Sequence, residues 1–318
     1  MSDLGITRRT ALGTGVALAS STAVLPHLTA QPESASLKGN IRHSVKGNIR
    51  HSVVFWCFNV AGEKWSAART AQVAKELGCR SVELIDPEHW PMLKAQGLTC
   101  AIAGNGLKRL PFMYGLNNPA FQQEVIASTR KTIEQCAEAG VPSVIAFVGY
   151  KWRDPENPMS GEIPRDDAFK HCVAGLKELA RDAEAKKVRI CVEHLNTRDN
   201  THPMKGHPGY QGDDLDFVME ILRAVGSPWV KLLFDIYHVQ IMHGDLIRRL
   251  DQCREFLGHI HTAGNPGRAE LDADQEINYA AVMRKLVQLK YSGYVGHEFI
   301  PTRNPYEGLR QAIRVCDV

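Results

Sequence analysis

The sequence predicts an α/β protein of the (β/α)8 TIM-barrel class, folded as one domain. Short apolar, β-rich runs alternate with helical stretches eight times over about 265 residues, the number and length expected of such a barrel. Repeated units of this size pair as parallel strands joined by right-handed crossovers. The rival architecture, an open doubly wound sheet, usually carries a glycine-rich phosphate loop after its first strand. Phe58-Asn59-Val60-Ala61-Gly62 stands there instead, and it is not such a loop.

In chain order, residues 1–35 read as an export signal. Thr7-Arg8-Arg9-Thr10-Ala11-Leu12 resembles the twin-arginine motif of bacterial export signals, and a mildly apolar Gly/Ala-rich stretch follows to residue 25. That stretch is too short and too weakly apolar to span a bilayer. Cleavage is expected near Ala23, Ala30 or Ala35, and the expected address is periplasmic or exported, or cytoplasmic if the segment is no signal. Residues 36–52 form a linker in which KGNIRHSV, at 38–45, recurs unchanged at 46–53. Eight residues are too few for a solenoid unit, so this is a local duplication. The barrel occupies 53–318. Its strands are expected at 53–58, 81–85, 98–103, 143–148, 188–193, 230–235, 259–263 and 294–298. The intervening helices are expected at 66–77, 87–96, 118–139, 166–186, 213–225, 245–256, 279–289 and 305–315. Gly78 and Gly140 stand just past two of them as C-caps, and Asn118-Pro119 opens the third with an N-cap and a first-turn proline.

Composition narrows the function. The chain is 44% hydrophobic and 23% charged, enough to bury a large core. Its eight cysteines are scattered with no CxxC pair, which argues for buried free thiols over a zinc ribbon or a redox site. Residues 1–53 hold six Lys/Arg against two acids, so of the total charge of +3 the remaining residues carry −1. A near-neutral body has no electrostatic footprint for nucleic acid or an anionic membrane. The expected partner is a small molecule, a sugar or keto-acid. Membrane insertion is not expected, and a homo-oligomer is left open.

The chemistry gathers at four strand ends. In KLLFDIYHVQ an apolar run leads into Asp235, and His238 follows. RICVEH ends near Glu193, GHIHTAG carries His261 and GYVGHEF carries Glu298. Any one of these alone reads as structural, a buried ion-pair partner or a satisfied core histidine. Four on four successive strand ends converge if the strands are neighbours, since a barrel's catalytic groups come from those ends. Three carboxylates and an imidazole in one dry pocket shift their pKa values or bind a cation. The mixed O/N set suits one divalent metal ion: manganese foremost, with magnesium, cobalt and zinc as alternatives.

At these residues the chain resembles the xylose-isomerase-like superfamily of sugar isomerases and epimerases, and within it the hydroxypyruvate isomerase family. The resemblance covers nearly all of 53–318 and rests on VEHLN (192–196), LLFDIYHVQIMHGDL (232–246), GHIHTAGNPGRAELD (258–272), EINY (276–279) and GYVGHEF (293–299). It implies metal ligation by Glu193, Asp235, His261 and Glu298, with Glu193 and Glu298 also carrying a proton through a metal-chelated enediolate. It further implies substrate contacts from His238 and Arg268. Glu83, on the second strand, reads as a substrate contact or a supporting group. Trp56 and Trp152, near the first and fourth strands, offer a flat face to a sugar or simply pack in the core. The separation from Glu193 to Asp235, 42 residues, is long and implies an enlarged loop around 197–211.

The chain also departs from that family. His261 replaces a glutamine and resembles the ketose 3-epimerase arrangement, His243 stands in place of a glutamate, and Ala269 in place of a histidine. The resemblance therefore implies the metal core more firmly than the substrate, and an exported enzyme suits a keto-sugar better than hydroxypyruvate. The leading expectation is a metal-dependent isomerase or epimerase of a small hydroxy-ketone, ketose or keto-sugar. Its rivals are a metal-dependent lyase cleaving a 3-keto-glycoside by β-elimination and a non-catalytic sugar-binding barrel. A related-barrel apurinic endonuclease would need more metal ligands and a basic face.

Overall fold

The computed structural model describes residues 46–318. The export-signal resemblance and the first copy of KGNIRHSV lie outside the described residues. Seven parallel strands form one sheet: β1 (Arg50–Val54), β2 (Ser81–Glu83), β3 (Ser143–Phe147), β4 (Arg189–Glu193), β5 (Val230–Asp235), β6 (Leu257–Thr262) and β7 (Tyr294–His297). Their order is β2-β1-β7-β6-β5-β4-β3, so each strand neighbours its sequence successor except β2 and β3, which are the two edges, and β7 pairs back with β1. The helices are α1 (Phe55–Val60), α2 (Ala67–Glu76), α3 (Trp90–Ala95), α4 (Gln122–Ala139), α5 (Arg165–Lys186), α6 (Leu215–Val225), α7 (Ile236–Met242), α8 (Leu246–Gln252), α9 (Tyr279–Gln288) and α10 (Pro305–Cys316). The strands are largely buried on both faces, as sheets covered by helices require. Leu232, Leu233 and Phe234 are fully buried, and each contributes roughly 1.5–3 kcal/mol.

The strand expected at 98–103 is corrected to an irregular connection. Thr99 bridges Ser81 of β2 and Ala103 bridges Val144 of β3, so the segment links the two edges of the sheet. Between those bridges the Ala101 N–H is taken by the Ser81 hydroxyl at 2.8 Å instead of by a neighbouring backbone, which interrupts the ladder. The first strand is corrected as well. It starts at Arg50, inside the second copy of the repeat, and ends at Val54; Phe55–Val60 is helical. An apolar run of that length reads equally as strand or buried helix.

Asn118 does not cap a helix that begins at once. Its carbonyl accepts the Gln122 N–H at 2.9 Å, and α4 starts at Gln122. The single helix expected at 245–256 is shorter, and α7, which sequence reading missed, precedes it directly after β5. Other boundaries agree within two residues, except that the helix expected from residue 87 opens with a 3-10 turn, Pro87–His89, before α3 starts at Trp90. All eight cysteines are free and buried. Burial pushes their thiols up, that of Cys191 to about 12. Among the described residues no helix is long and apolar enough to cross a membrane.

Candidate functional site

Glu193 ends β4, Asp235 ends β5, His261 is the last but one residue of β6, and Glu298 follows β7. Register aligns Asp235 with His261 and His261 with Gly296. One donor atom from each of the four lies within 4.8 Å of the others. All four are buried, none more than 4% exposed.

Local structure divides the labour within each side chain. Asp235 Oδ1 accepts the Tyr237 N–H at 2.8 Å and so caps α7, leaving Oδ2 buried and without a hydrogen-bond partner. The Tyr210 hydroxyl donates to the Glu193 carbonyl at 2.7 Å and accepts the Val148 N–H at 2.9 Å, which ties the ends of β3 and β4 together. Glu298 receives Trp56 Nε1 at 3.2 Å and Arg268 Nη2 at 2.6 Å. His261 Nδ1 stands 2.8 Å from Glu298 Oε2 and 3.6 Å from Glu193 Oε1, without an aligned hydrogen bond to either.

Glu83 sits behind His261. Its Oε1 lies 2.9 Å from His259 Nε2 and 2.9 Å from His261 Nε2, and the residue is fully buried. This carboxylate makes Nε2 the proton-bearing nitrogen of His261 and turns Nδ1 toward the other three donors, the usual support for a metal-binding imidazole. Of the two roles expected for Glu83, this placement favours the supporting one. Sequence reasoning missed His259. The signal was there: in His259-Ile260-His261 the strand period of two puts both imidazoles on the inner face.

The electrostatics register the crowding. Burial, and then the Glu298 charge, raises the Asp235 carboxyl above the usual carboxylate range. Burial also raises Glu193. Burial works on Glu298 in the same direction, but Arg268 and His261 outweigh it and hold that carboxyl low. His261 is disfavoured as a cation by burial, yet Glu298, Glu193 and Glu83 together hold its pKa well above the ordinary value.

His238 belongs to this site. One helical turn after Asp235, its Nδ1 accepts the Asn196 backbone N–H at 3.1 Å and faces Asn196 Nδ2 at 2.6 Å. The proton is therefore on Nε2, which is buried, unpartnered and 3.5 Å from Asp235 Oδ2. Burial, reinforced by Arg268 and His207, keeps the ring neutral. Arg268 lies with its guanidinium 5.2 Å from the Trp56 ring and 5.6 Å from the Tyr237 ring, and its Nε is buried without an acceptor. Arg268 has φ 54°, a left-handed conformation that a non-glycine residue adopts at some cost. Trp56 thus touches the site, but its ring faces Arg268.

Trp152 is not brought to the four donors. It packs edge-on against Tyr150 at 5.4 Å and against Gly209, and bridges Glu162. The enlarged loop is present. From it the Met204 carbonyl accepts Arg268 Nη1 at 2.5 Å, and the His207 ring lies tilted, 4.3 Å from Phe112 and 6.1 Å from His238. Asn196 and His207 were also missed as site residues, although Asn196 closes the VEHLN stretch that carries the resemblance; nothing in the neighbourhood of His207 separates it from ordinary loop residues. His243 is structural, its Nε2 accepting the Leu215 N–H at 3.1 Å.

Comparison with known proteins gives consistent results. The sequence profile of the family described as xylose isomerase-like TIM barrel matches residues 71–317. The 2-oxo-tetronate isomerase of Cupriavidus necator is 30% identical over 237 residues, 73% of this chain and 86% of that one. The hydroxypyruvate isomerase of Escherichia coli is 26% identical, covering 74% of this chain and 89% of its own. The crystal structure of the E. coli 3-keto-D-glucoside 4-epimerase superposes with a TM-score of 0.66 at 19% identity, over 84% of this chain and 100% of that one, a likeness of fold. By its profile, its barrel and relatives that are isomerases along most of their length, the chain belongs to the xylose isomerase-like TIM-barrel family and is an isomerase-class enzyme.

Proposed function

We propose that the protein is a divalent-metal-dependent isomerase or epimerase that moves a proton between adjacent carbons of a small hydroxy-ketone, ketose or keto-acid. The observation that carries this reading is the buried cluster of Glu193, Asp235, His261 and Glu298. The cluster fits a cation. Glu193 Oε1, Asp235 Oδ2 and His261 Nδ1 are buried atoms with no hydrogen-bond partner, and each can present a lone pair to one shared point. Three oxygens and one nitrogen suit manganese, which we take as the resident metal, and also magnesium, cobalt or zinc. When bound, the cation supplies Lewis-acid stabilisation of negative charge on a substrate oxygen.

The protein's own groups do the rest. Glu193 and Glu298 stand on strands separated by β5 and β6 and so flank the space between them. One carboxylate takes the carbon-bound proton and the other returns it, or a single one carries it to the neighbouring carbon. The Nε2–H of His238 donates to a substrate hydroxyl or carbonyl oxygen. The unpartnered Nε of Arg268 donates to an anionic end of the substrate, and this favours a keto-acid. 2-Oxo-tetronate and hydroxypyruvate, named in the two relatives, are accordingly the first substrates to try. The twin-arginine resemblance at Thr7–Leu12 stays part of the proposal as an export address, which a reporter fused after residue 35 tests.

The test of the activity is isotope wash-in. Manganese-loaded protein is incubated in D2O with 2-oxo-tetronate, hydroxypyruvate and a panel of ketoses, and carbon-bound deuterium is read by NMR. Deuterium entering next to a carbonyl supports the proposal. Exchange in no substrate, with the metal shown to be bound, overturns it.

A further inference from the structure

The opposite mouth of the barrel carries a second concentration of charge. There the strands begin, away from the four donors. Arg50 opens β1, Arg189 opens β4, and Lys231 is second in β5. Arg254 and Lys290 come from the turns that lead into β6 and β7, and His259 forms part of the wall. These groups line a cavity of about 540 Å³ with no aspartate or glutamate in its lining. That volume lies in the range of small-molecule sites.

The feature to explain is the missing counter-charge in one concavity. Several arginines elsewhere on the surface find carboxylates: Arg130 with Glu178 and Asp182, Arg165 with Asp214, Arg249 with Asp216. Among the described residues, none of the five cations at this mouth has a carboxylate within 4.0 Å. Lys231 bonds only a carbonyl, that of Glu255, at 2.8 Å. Burial first, and then repulsion from Arg189, lowers its pKa. The excess is local, since residues 54–318 carry −1 overall, and the first 45 residues, with four Lys/Arg against two acids, have no net negative charge to offset it. Four of the five cations are exposed and Lys231 is half-buried, and gathering like charges around one concavity is unfavourable without an anion between them.

We propose that the N-terminal mouth of the barrel is a binding site for a small, multiply charged, phosphate-bearing anion. Arginine forks match phosphate oxygens in pairs, and lysine adds a point charge. A nucleic-acid strand is a poor occupant, because the cations ring one cavity and form no track. The proposal is independent of the activity proposed above, which uses the other end of the barrel.

The test is titration calorimetry of the full chain with pyrophosphate, in metal-free buffer at low salt, with citrate as a non-phosphate polyanion of similar charge. The expected result is one pyrophosphate per chain with Kd below about 1 mM. Arg189→Gln and Lys231→Gln should each weaken it roughly tenfold, while Arg181→Gln, an exposed cation on α5, leaves it unchanged. Arg254→Gln serves if the Lys231 variant does not fold. Absence of binding, or binding indifferent to Arg189, Lys231 and Arg254, overturns the site. Citrate binding more tightly than pyrophosphate, with the same sensitivity, overturns the phosphate assignment.

Discussion

His261 works with both of its nitrogens, and the space behind it is supplied by a missing side chain. Gly296, its register partner on β7, has no Cβ; one placed there would lie 2.1 Å from Glu83 Oε1 and 2.9 Å from His261 Cδ2. Gly296→Ala should therefore displace the Glu83 carboxylate, cost about 1–3 kcal/mol of stability, and weaken manganese binding about 10–100-fold, as the loss of a supporting hydrogen bond does. Manganese titration followed by EPR reads this, and an unchanged affinity would refute the role given to Glu83. A second pair of variants separates ligation from proton transfer. Glu298→Gln keeps a ligating oxygen but cannot accept a proton, so metal should remain in part while turnover falls about 10²–10⁴-fold. Asp235→Asn should lose metal first and regain activity at high metal concentration. Should Glu298→Gln turn over at the wild-type rate, transfer through that carboxylate is wrong. At this scale the sequence was most legible at the ends of short β-rich runs, where Glu193, Asp235, His261 and Glu298 stand. It was least legible for Asn196, His207 and His259, which act by touching other side chains of the site.

The pairing of β1 with β7 brings together histidines from two distant parts of the chain. His51 Nδ1 lies 3.1 Å from His297 Nε2, and His297 Nδ1 lies 3.0 Å from the Thr262 hydroxyl. Burial lowers His51 to about 4, against the opposing pull of Asp317, and takes His297 well below its ordinary value. Both rings are thus neutral in the fold, whereas an unfolded histidine takes up a proton near pH 6.5. Between pH 6.5 and 4 the unfolded chain binds more protons, so stability is complete above that window and falls as the pH drops through it. The share of His51 is about 3 kcal/mol. Urea midpoints of the metal-free protein at pH 7.5 and 4.5 should show the fall, and His51→Asn should make it smaller; a flat profile would remove the argument. Most elements were legible because strand and helix periods differ. The exceptions have local causes. The ladder at 98–103 is broken by a serine side chain, and α1 and α7 are short apolar turns for which periodicity has too few residues to decide.

For the whole molecule, the four-donor site and the fold should be linked by mass action. If the cluster binds manganese only when folded, then at a hundredfold excess over Kd the fold gains about 2.7 kcal/mol, worth roughly 4–5 °C in Tm for a chain of this size. Calorimetry with and without a chelator measures the gain, and Asp235→Asn should abolish it. An equal gain in that variant would place the metal elsewhere. The fold class and the approximate path of the chain could be read from eight repeated units. The basic mouth could not, because its five cations lie far apart in sequence and meet only where the strands begin.

The octapeptide repeat gives folding an ambiguity in time. β1 is drawn from the second copy, and Arg42-His43-Ser44-Val45 of the first copy repeats Arg50-His51-Ser52-Val53. A nascent sheet therefore meets two identical claimants for one slot. They differ only at the next position, where the second copy supplies Val54, fully buried, and the first would supply Lys46. The slipped chain must bury an ammonium where an isopropyl group belongs, so it is an unstable state that the chain has to leave before α1 can form. Refolding should accordingly show a slow phase whose amplitude disappears when residues 38–45 are deleted, with the native spectrum unchanged. A trace identical with and without those residues would mean that discrimination at Val54 is complete before the strand docks.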